Sequence, residues 1–370
     1  MQHFDWVDYQ LLVEKHIYTL NQVDLTKEQG YLVRFAVFSA NLTNFLPHIP
    51  VSSHPDLFKQ NLIHIALETL DRSIPQLSDF TVFEGDISLV SQPKQPVIFC
   101  TFHLGSYRNL ASWLVKLGYH FSILVRKSVY DQQAAEILDH TRQIKAVYPS
   151  SSEVQVINAE EASSLLKILR QLRSGHSLLV YMDGNTGTSE DKGELIDFLQ
   201  RPIFAKQGAA FLSYISGVPI LPVVCYRRID DHRNVIVVNP PIFPDKERSK
   251  KNFSLSTTQQ LYNWFSTYLQ LYPEQWEAWN YIHHQLSLSP ESKPLLSKTA
   301  FQKPSYQFNS QRYSLFALQE EYILLDRFYY QTYEISHDLY DYLLQSPLQF
   351  PQRTLGKAIF RDLIIQSILI

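Results

Sequence analysis

Residues 96–126 read PVIFCTFHLGSYRNLASWLVKLGYHFSILVR, and the change of pattern inside them decides the fold class. PVIFCTF is a short continuous apolar run that begins on a proline and ends at a polar His103 and a glycine. SYRNLASWLVKLG then places apolar residues at helical spacing, and FSILV is a second continuous run. Short continuous apolar runs predict strands covered on both faces, and the amphipathic segment between them predicts a covering helix.

The same alternation continues downstream. VQVI is a third run and is followed by the helical EEASSLLKILRQLRSG; SLLVYM is a fourth, PILPVVCYR a fifth and NVIVV a sixth. The prediction is an α/β layered sandwich over residues 91–285, with one open, largely parallel central sheet flanked by helices. In such a sheet the ligand site lies at the C-terminal ends of the strands.

Upstream, residues 1–90 read as a helical region packed on this core, with helical spacing in DYQLLVEKHIYTL and in LFKQNLIHIALETLDRSI. A helical stretch from about 255 to 284 closes the core. Residues 286–312, rich in Ser, Pro, Lys and Gln, read as a linker. Residues 313–370 read as a small α+β binding module. In it SLFALQEE and YILLDRFYYQTYEIS form a hairpin, Ser336 caps a helix through DLYDYLLQ, and a last helix runs from about 354 to the end. No internal repeat is visible.

Composition narrows the function classes. The 370 residues are 45% hydrophobic and 19% charged, a folded composition, and the net charge of −3 argues against a nucleic-acid binder. The 22 Tyr and 22 Phe suit apolar grooves as well as a core. Cys100 and Cys225 each sit in an apolar run and read as buried strand residues. Two cysteines make no disulfide framework, and no closely spaced ligand set predicts a metal. MQHFDWVDYQ lacks a signal-peptide pattern and no run of about 20 apolar residues occurs, so the expected location is cytoplasmic, with peripheral contact at the inner membrane face.

Two residues stand out chemically. His103 falls at the end of a buried strand just before a helix, where a neutral imidazole can take a proton from a hydroxyl or amine. Gly105 beside it allows close backbone approach, and the helix N-terminus offers N–H groups to an anion. A histidine in that place can equally finish a strand with a structural hydrogen bond. Asp183, in LLVYMDGNTGTS, also ends a buried strand. Gly184 and Asn185 open a small-residue loop whose amides suit a phosphate or an oxyanion, although an ordinary Asp-Gly turn reads the same way. In LQRPIFAKQGAA, Arg201 and Lys206 are placed to meet phosphate, with solvated charge as the simpler reading. GVPILPVV (217–224) reads as a strand start bracketed by Pro219 and Pro222.

Together these segments resemble the lysophospholipid-acyltransferase superfamily, and within it the lipid A biosynthesis lauroyl/myristoyl acyltransferases. HLGSYRNL resembles that branch's His-x-Gly-Asn-Trp-Glu block. GYHFSILVRKSVYDQ resembles the block in which an arginine, here Arg126, follows a strand. LLVYMDGNTG, the stretch from IDFLQRPIFAKQGAA to PVVCYR, and YPEQWEAW (272–279) resemble the later blocks in their order. The likeness covers residues 30–285.

The resemblance implies that His103 is the general base on an acceptor nucleophile that attacks an acyl thioester of acyl carrier protein or coenzyme A. No further cofactor is implied. In the family an acidic residue five positions after the histidine orients it, whereas this chain has Arg108. A guanidinium there is expected to lower the pKa of His103. Three readings follow: Asp183 or another carboxylate orients His103; Arg108 binds a phosphate or carboxylate of an unusual substrate; or the chain is a degenerate member that binds without catalysing. A hydrolase using Ser106 with His103 is a further alternative, against which the spacing lacks a Gly-x-Ser-x-Gly elbow.

The family branch usually starts with a membrane-spanning helix, which is not seen here, so the expected acceptor is a peptide or specialised metabolite as much as a lipid. SLFALQEEYILLDRFYYQTYEISHDLYDYLLQ resembles the small peptide-recognition domains of ribosomal-peptide modification systems, which capture a leader peptide by strand addition. That implies a peptide partner; a plain docking or dimerisation module reads equally well.

Overall fold

The computed structural model describes residues 4–23, 29–90, 95–184, 193–287, 301, 303 and 305–370. The chain forms two compact units, Met1–Val23 with Lys59–Ala278, and Asp24–Phe58 with Trp279–Ile370.

The first unit carries strands β1 (Val82–Gly85), β2 (Ile98–Thr101), β3 (Phe121–Val125), β4 (Val154–Asn158), β5 (Ser177–Tyr181), the hairpin β6 (Glu194–Phe198) and β7 (Arg201–Ala205), then β8 (Ile220–Arg227) and β9 (Asn234–Val238). Seven of them form one sheet in the order β1-β9-β8-β2-β5-β3-β4. Every neighbouring pair is parallel except β8 with β9. The six apolar runs of the sequence are β2, β3, β4, β5, β8 and β9, so the expected α/β sandwich with a largely parallel sheet is the observed fold.

Burial explains why those runs lack the alternation of a half-exposed strand. β2, β8 and β9 are buried at every residue. Phe99, Leu179, Leu221 and Val223 pack with Leu110, Trp113 and Leu114 of the helix Asn109–Lys116. Cys100 and Cys225 are both buried free thiols. The sequence pattern did not reveal β1 or the β6–β7 hairpin. The hairpin places Phe198, fully buried, against Tyr262 and Phe265 of the helix Lys250–Leu271. That helix stops short of residue 284 because Pro273 has no N–H to continue it.

In the second unit, β10 (Ser305–Tyr306) pairs with β14 (Leu348–Gln349), while β11 (Tyr313–Leu318), β12 (Glu321–Asp326) and β13 (Gln331–Ile335) form an antiparallel sheet. The expected hairpin is therefore three strands, because YILLDRFYYQTYEIS turns at residues 327–330. Ser336 accepts from the Leu339 amide and caps the helix His337–Leu344. Gly356, at φ +79°, separates the helices Pro351–Leu355 and Lys357–Ile365, and the apolar end leaves the helix to bridge Phe308 through Leu369. The Gln29–Phe45 helix and the β11–β12 strands line an apolar cavity of about 270 Å³, with Val33, Val37, Phe316 and Leu325 in its wall. Most of the expected linker, residues 288–300, 302 and 304, lies outside the described residues. Among the described residues no helix is long and apolar enough to cross a membrane.

Candidate active site

Strand register brings two distant residues together. β2 and β5 are parallel neighbours with Thr101 opposite Tyr181, so His103 and Asp183 each stand two residues beyond a paired end. The Met182 amide bonds to the Thr101 carbonyl and carries the alignment one step further. His103 Nδ1 lies 2.8 Å from Asp183 Oδ1. A carboxylate accepts, so Nδ1 carries the proton and Nε2 is the basic nitrogen of the ring.

Asp183 is fully buried and heavily solvated by donors. The His103 backbone N–H donates to Oδ2 at 3.0 Å, and Trp276 Nε1 donates to the same oxygen at 2.6 Å. Three donors stabilise the carboxylate in a dry place, where an unpaired charge would be costly. The imidazole is stacked on Tyr181, centroids 4.8 Å apart, and meets Tyr107 edge-on at 4.6 Å. Ring and dyad thus have one orientation, with 18% of the His103 side chain exposed.

The segment following the long helix holds the other side. The Glu277 amide donates to the His103 carbonyl at 3.0 Å, and the Gly105 amide to the Gln275 carbonyl at 3.0 Å. Gln275 in turn brackets Arg227 of β8, accepting from its amide and donating to its carbonyl, each at 2.7 Å. Gly105 has φ +55°, and a Cβ there would stand 2.8 Å from Tyr226 Cα. Glycine is required at this crossing of the histidine loop over β8.

Arg108 does not confront His103 as a lone cation. Its guanidinium donates to Glu68 Oε2 at 2.5 Å and covers the Tyr107 ring, 4.6 Å from the centroid. Burial pushes the Glu68 carboxyl up even against the pull of Arg108. For His103 burial alone would lower the pKa, but the charge and hydrogen bond of Asp183 outweigh it, and the net direction is up. The expected lowering by Arg108 is therefore corrected. Its repulsion is present but is exceeded by Asp183, the closer charge.

A second expectation is also corrected. The first amides of the Asn109–Lys116 helix are not left for an anion: Asn109, Leu110 and Ala111 donate to the carbonyls of Ser106, Tyr107 and Arg108. Gly184 N–H turns back to the Tyr181 carbonyl at 3.4 Å. Asn185 lies outside the described residues. Arg126 is exposed at the end of β3, which lies on the far side of β5 from β2. Arg201 and Lys206 are half-buried at the two ends of β7.

Ser106 belongs to another network. Its hydroxyl donates to Asp71, which also pairs with Arg227 Nη2 at 2.5 Å and accepts from Tyr9 at 2.8 Å and Asn234 at 2.9 Å. All five residues are buried. The hydroxyl proton is spent on Asp71, which removes the basis for a serine nucleophile activated by His103.

Glu68, Tyr181, Trp276 and Glu277 are site residues that reading the sequence did not single out. Trp276 and Glu277 had a signal in YPEQWEAW, and Tyr181 in LLVYMDGNTG, whereas Glu68 had none.

The sequence matches the model of the bacterial lipid A biosynthesis acyltransferase family over residues 84–287, more than half of the chain. The chain belongs to the bacterial lipid A biosynthesis acyltransferase family. The matched span runs from β1 to the end of the Trp276 segment, so His103, Asp183 and Trp276 all lie inside it. This family member is also similar to the crystal structure of the 1-acyl-sn-glycerophosphate (LPA) acyltransferase PlsC from Thermotoga maritima. The identity is 13% over 71% of this chain and 97% of that chain, with a TM-score of 0.33. No curated protein matches the family member in sequence. Acyl transfer is the general chemistry of the family it belongs to.

Proposed function

We propose that the chain transfers a fatty acyl group from an acyl thioester, carried on acyl carrier protein or coenzyme A, to a hydroxyl or amine of an acceptor, with His103 as general base. The observation that supports it is the 2.8 Å contact between His103 Nδ1 and Asp183 Oδ1. It supplies from β5 the carboxylate that position 108 lacks.

Nε2 takes the proton of the acceptor's O–H or N–H as that atom attacks the thioester carbonyl. The positive charge that forms on the ring is stabilised by Asp183, as in a catalytic triad. Collapse of the tetrahedral intermediate expels the thiolate, which regains its proton from Nε2–H. Glu68 offsets the charge of Arg108, leaving its exposed part to bind an anionic group on substrate, with Arg126, Gly184, Asn185, Arg201 and Lys206 as further binding residues.

For the acceptor we favour a peptide, captured by the second unit. The support is a three-stranded sheet whose edge strand β13 is largely exposed, an arrangement suited to strand addition. Intact-mass analysis tests the whole reading. Acceptors offered with acyl-coenzyme A or acyl carrier protein should gain one acyl mass with the wild type and none with His103→Ala. Equal gain with that variant removes His103 as the base. Acyl transfer that proceeds on lipid acceptors only would reject the peptide.

A further inference from the structure

Three residues away from the His103 site share one row at the opposite ends of the strands. His120, Glu153 and His176 immediately precede β3, β4 and β5. Phe121 pairs with both Val154 and Ser177, so the residues one step earlier are level with one another across three adjacent strands. Neighbouring strands are about 4.8 Å apart, and residues in one row face the same side of the sheet. Accordingly one ring nitrogen from each histidine and a carboxylate oxygen of Glu153 lie within 4.8 Å of one another.

The local chemistry is that of an incomplete ligand set. His176 Nε2 is 3.8 Å from Glu153 Oε2, and the two imidazole rings are 5.4 Å apart. Nδ1 of His120 and Nδ1 of His176 are both buried, with no hydrogen-bond partner among the described residues. Buried polar atoms are normally paired, so an orphaned nitrogen on each of two neighbouring rings calls for a partner.

We propose that His120, Glu153 and His176 bind a borderline divalent transition-metal ion, zinc being the type case. Two imidazoles and one carboxylate suit such an ion, whereas calcium and magnesium take all-oxygen shells. Nitrogen and oxygen ligands about 2.0–2.2 Å from zinc stand roughly 3.3 Å apart in a tetrahedron, so the side chains close by about 1.5 Å at most. Glu153, whose side chain is 66% exposed, has the freedom to do this and leaves a fourth position for water. The ion would pin the starts of β3, β4 and β5. It lies a strand length away from His103, roughly 20 Å, and so does not touch the reacting carbonyl. The ligands are far apart in sequence, which is why spacing alone predicted no metal.

The test uses the full chain, stripped with a chelator and titrated with zinc chloride or cobalt chloride. One equivalent should bind, cobalt should show visible d–d absorption, and zinc should raise Tm. Glu153→Gln and His176→Ala should each weaken zinc binding roughly tenfold or more and abolish the rise in Tm. Glu153→Gln changes an exposed side chain, so it reports even if a histidine variant fails to fold. Absence of stoichiometric binding, or binding and d–d bands unchanged in Glu153→Gln and in the His120→Ala/His176→Ala pair, would overturn the proposal.

Discussion

His103 Nδ1 stands 2.8 Å from Asp183 Oδ1, and Trp276 Nε1 holds the other oxygen of that carboxylate at 2.6 Å. Eighty positions separate the histidine from its partner in sequence. In the proposed mechanism the orienting acid therefore comes from the end of a neighbouring strand, while position 108 carries a cation engaged by Glu68.

Asp183→Asn is expected to reduce acyl transfer by about 10²–10⁴-fold while the chain remains folded, because the amide cannot stabilise the imidazolium and permits the wrong tautomer. Steady-state rates with circular dichroism as the folding control check this. Full activity would show that Asp183 is structural.

The pH profile follows from the raised pKa of His103. A base works when neutral, so activity should rise with pH along a limb placed above the ordinary histidine value of about 6.5. Removing the Asp183 charge should move that limb to lower pH, since burial and Arg108 both lower the pKa. The same shift makes protonated His103 stabilising. That contribution is complete below about pH 6.5 and is lost as pH rises through the raised folded value. The stability gap between wild type and His103→Gln, measured by denaturation across pH, should narrow in that direction.

Trp276→Phe keeps a large apolar ring but deletes the N–H that Asp183 accepts. The loss is expected to be about 1–3 kcal/mol of stability and roughly tenfold in rate. A rate loss without any stability loss would mean that the indole contacts substrate instead.

Ser106→Ala should leave acyl transfer within about threefold and cost about 1–2 kcal/mol, because the hydroxyl's bonds to Asp71 and from Arg227 are lost while the Asp71–Arg227 pair remains. Asp71→Ala should cost about 3–5 kcal/mol, since it strands the buried Arg227 guanidinium. Urea melts of the two variants compare them. An acyl-enzyme trapped on Ser106 would reverse the first expectation.

Gly105→Ala should destabilise the chain by about 2 kcal/mol or more, through left-handed backbone and collision with β8. Because the obstacle is backbone, no side-chain rotation relieves it. A Tm equal to wild type would mean that the histidine loop lifts away from β8.

The sequence by itself determined the local elements of this protein. Six strands, their covering helices and the Ser336 cap follow from apolar runs, 3.6-residue spacing and a hydroxyl at a helix start, all interactions within a few residues. It also placed His103 and Asp183 at strand ends. It could not place them together, because the strand order that inserts β5 between β2 and β3 is set by long-range packing, which leaves no local periodicity. For the same reason Glu68 was not visible as the partner of Arg108, nor Trp276 as the donor to Asp183. Only the tertiary structure decided that Asp183 reverses the lowering expected at His103, since a pKa depends on which charges fold to within a few ångströms.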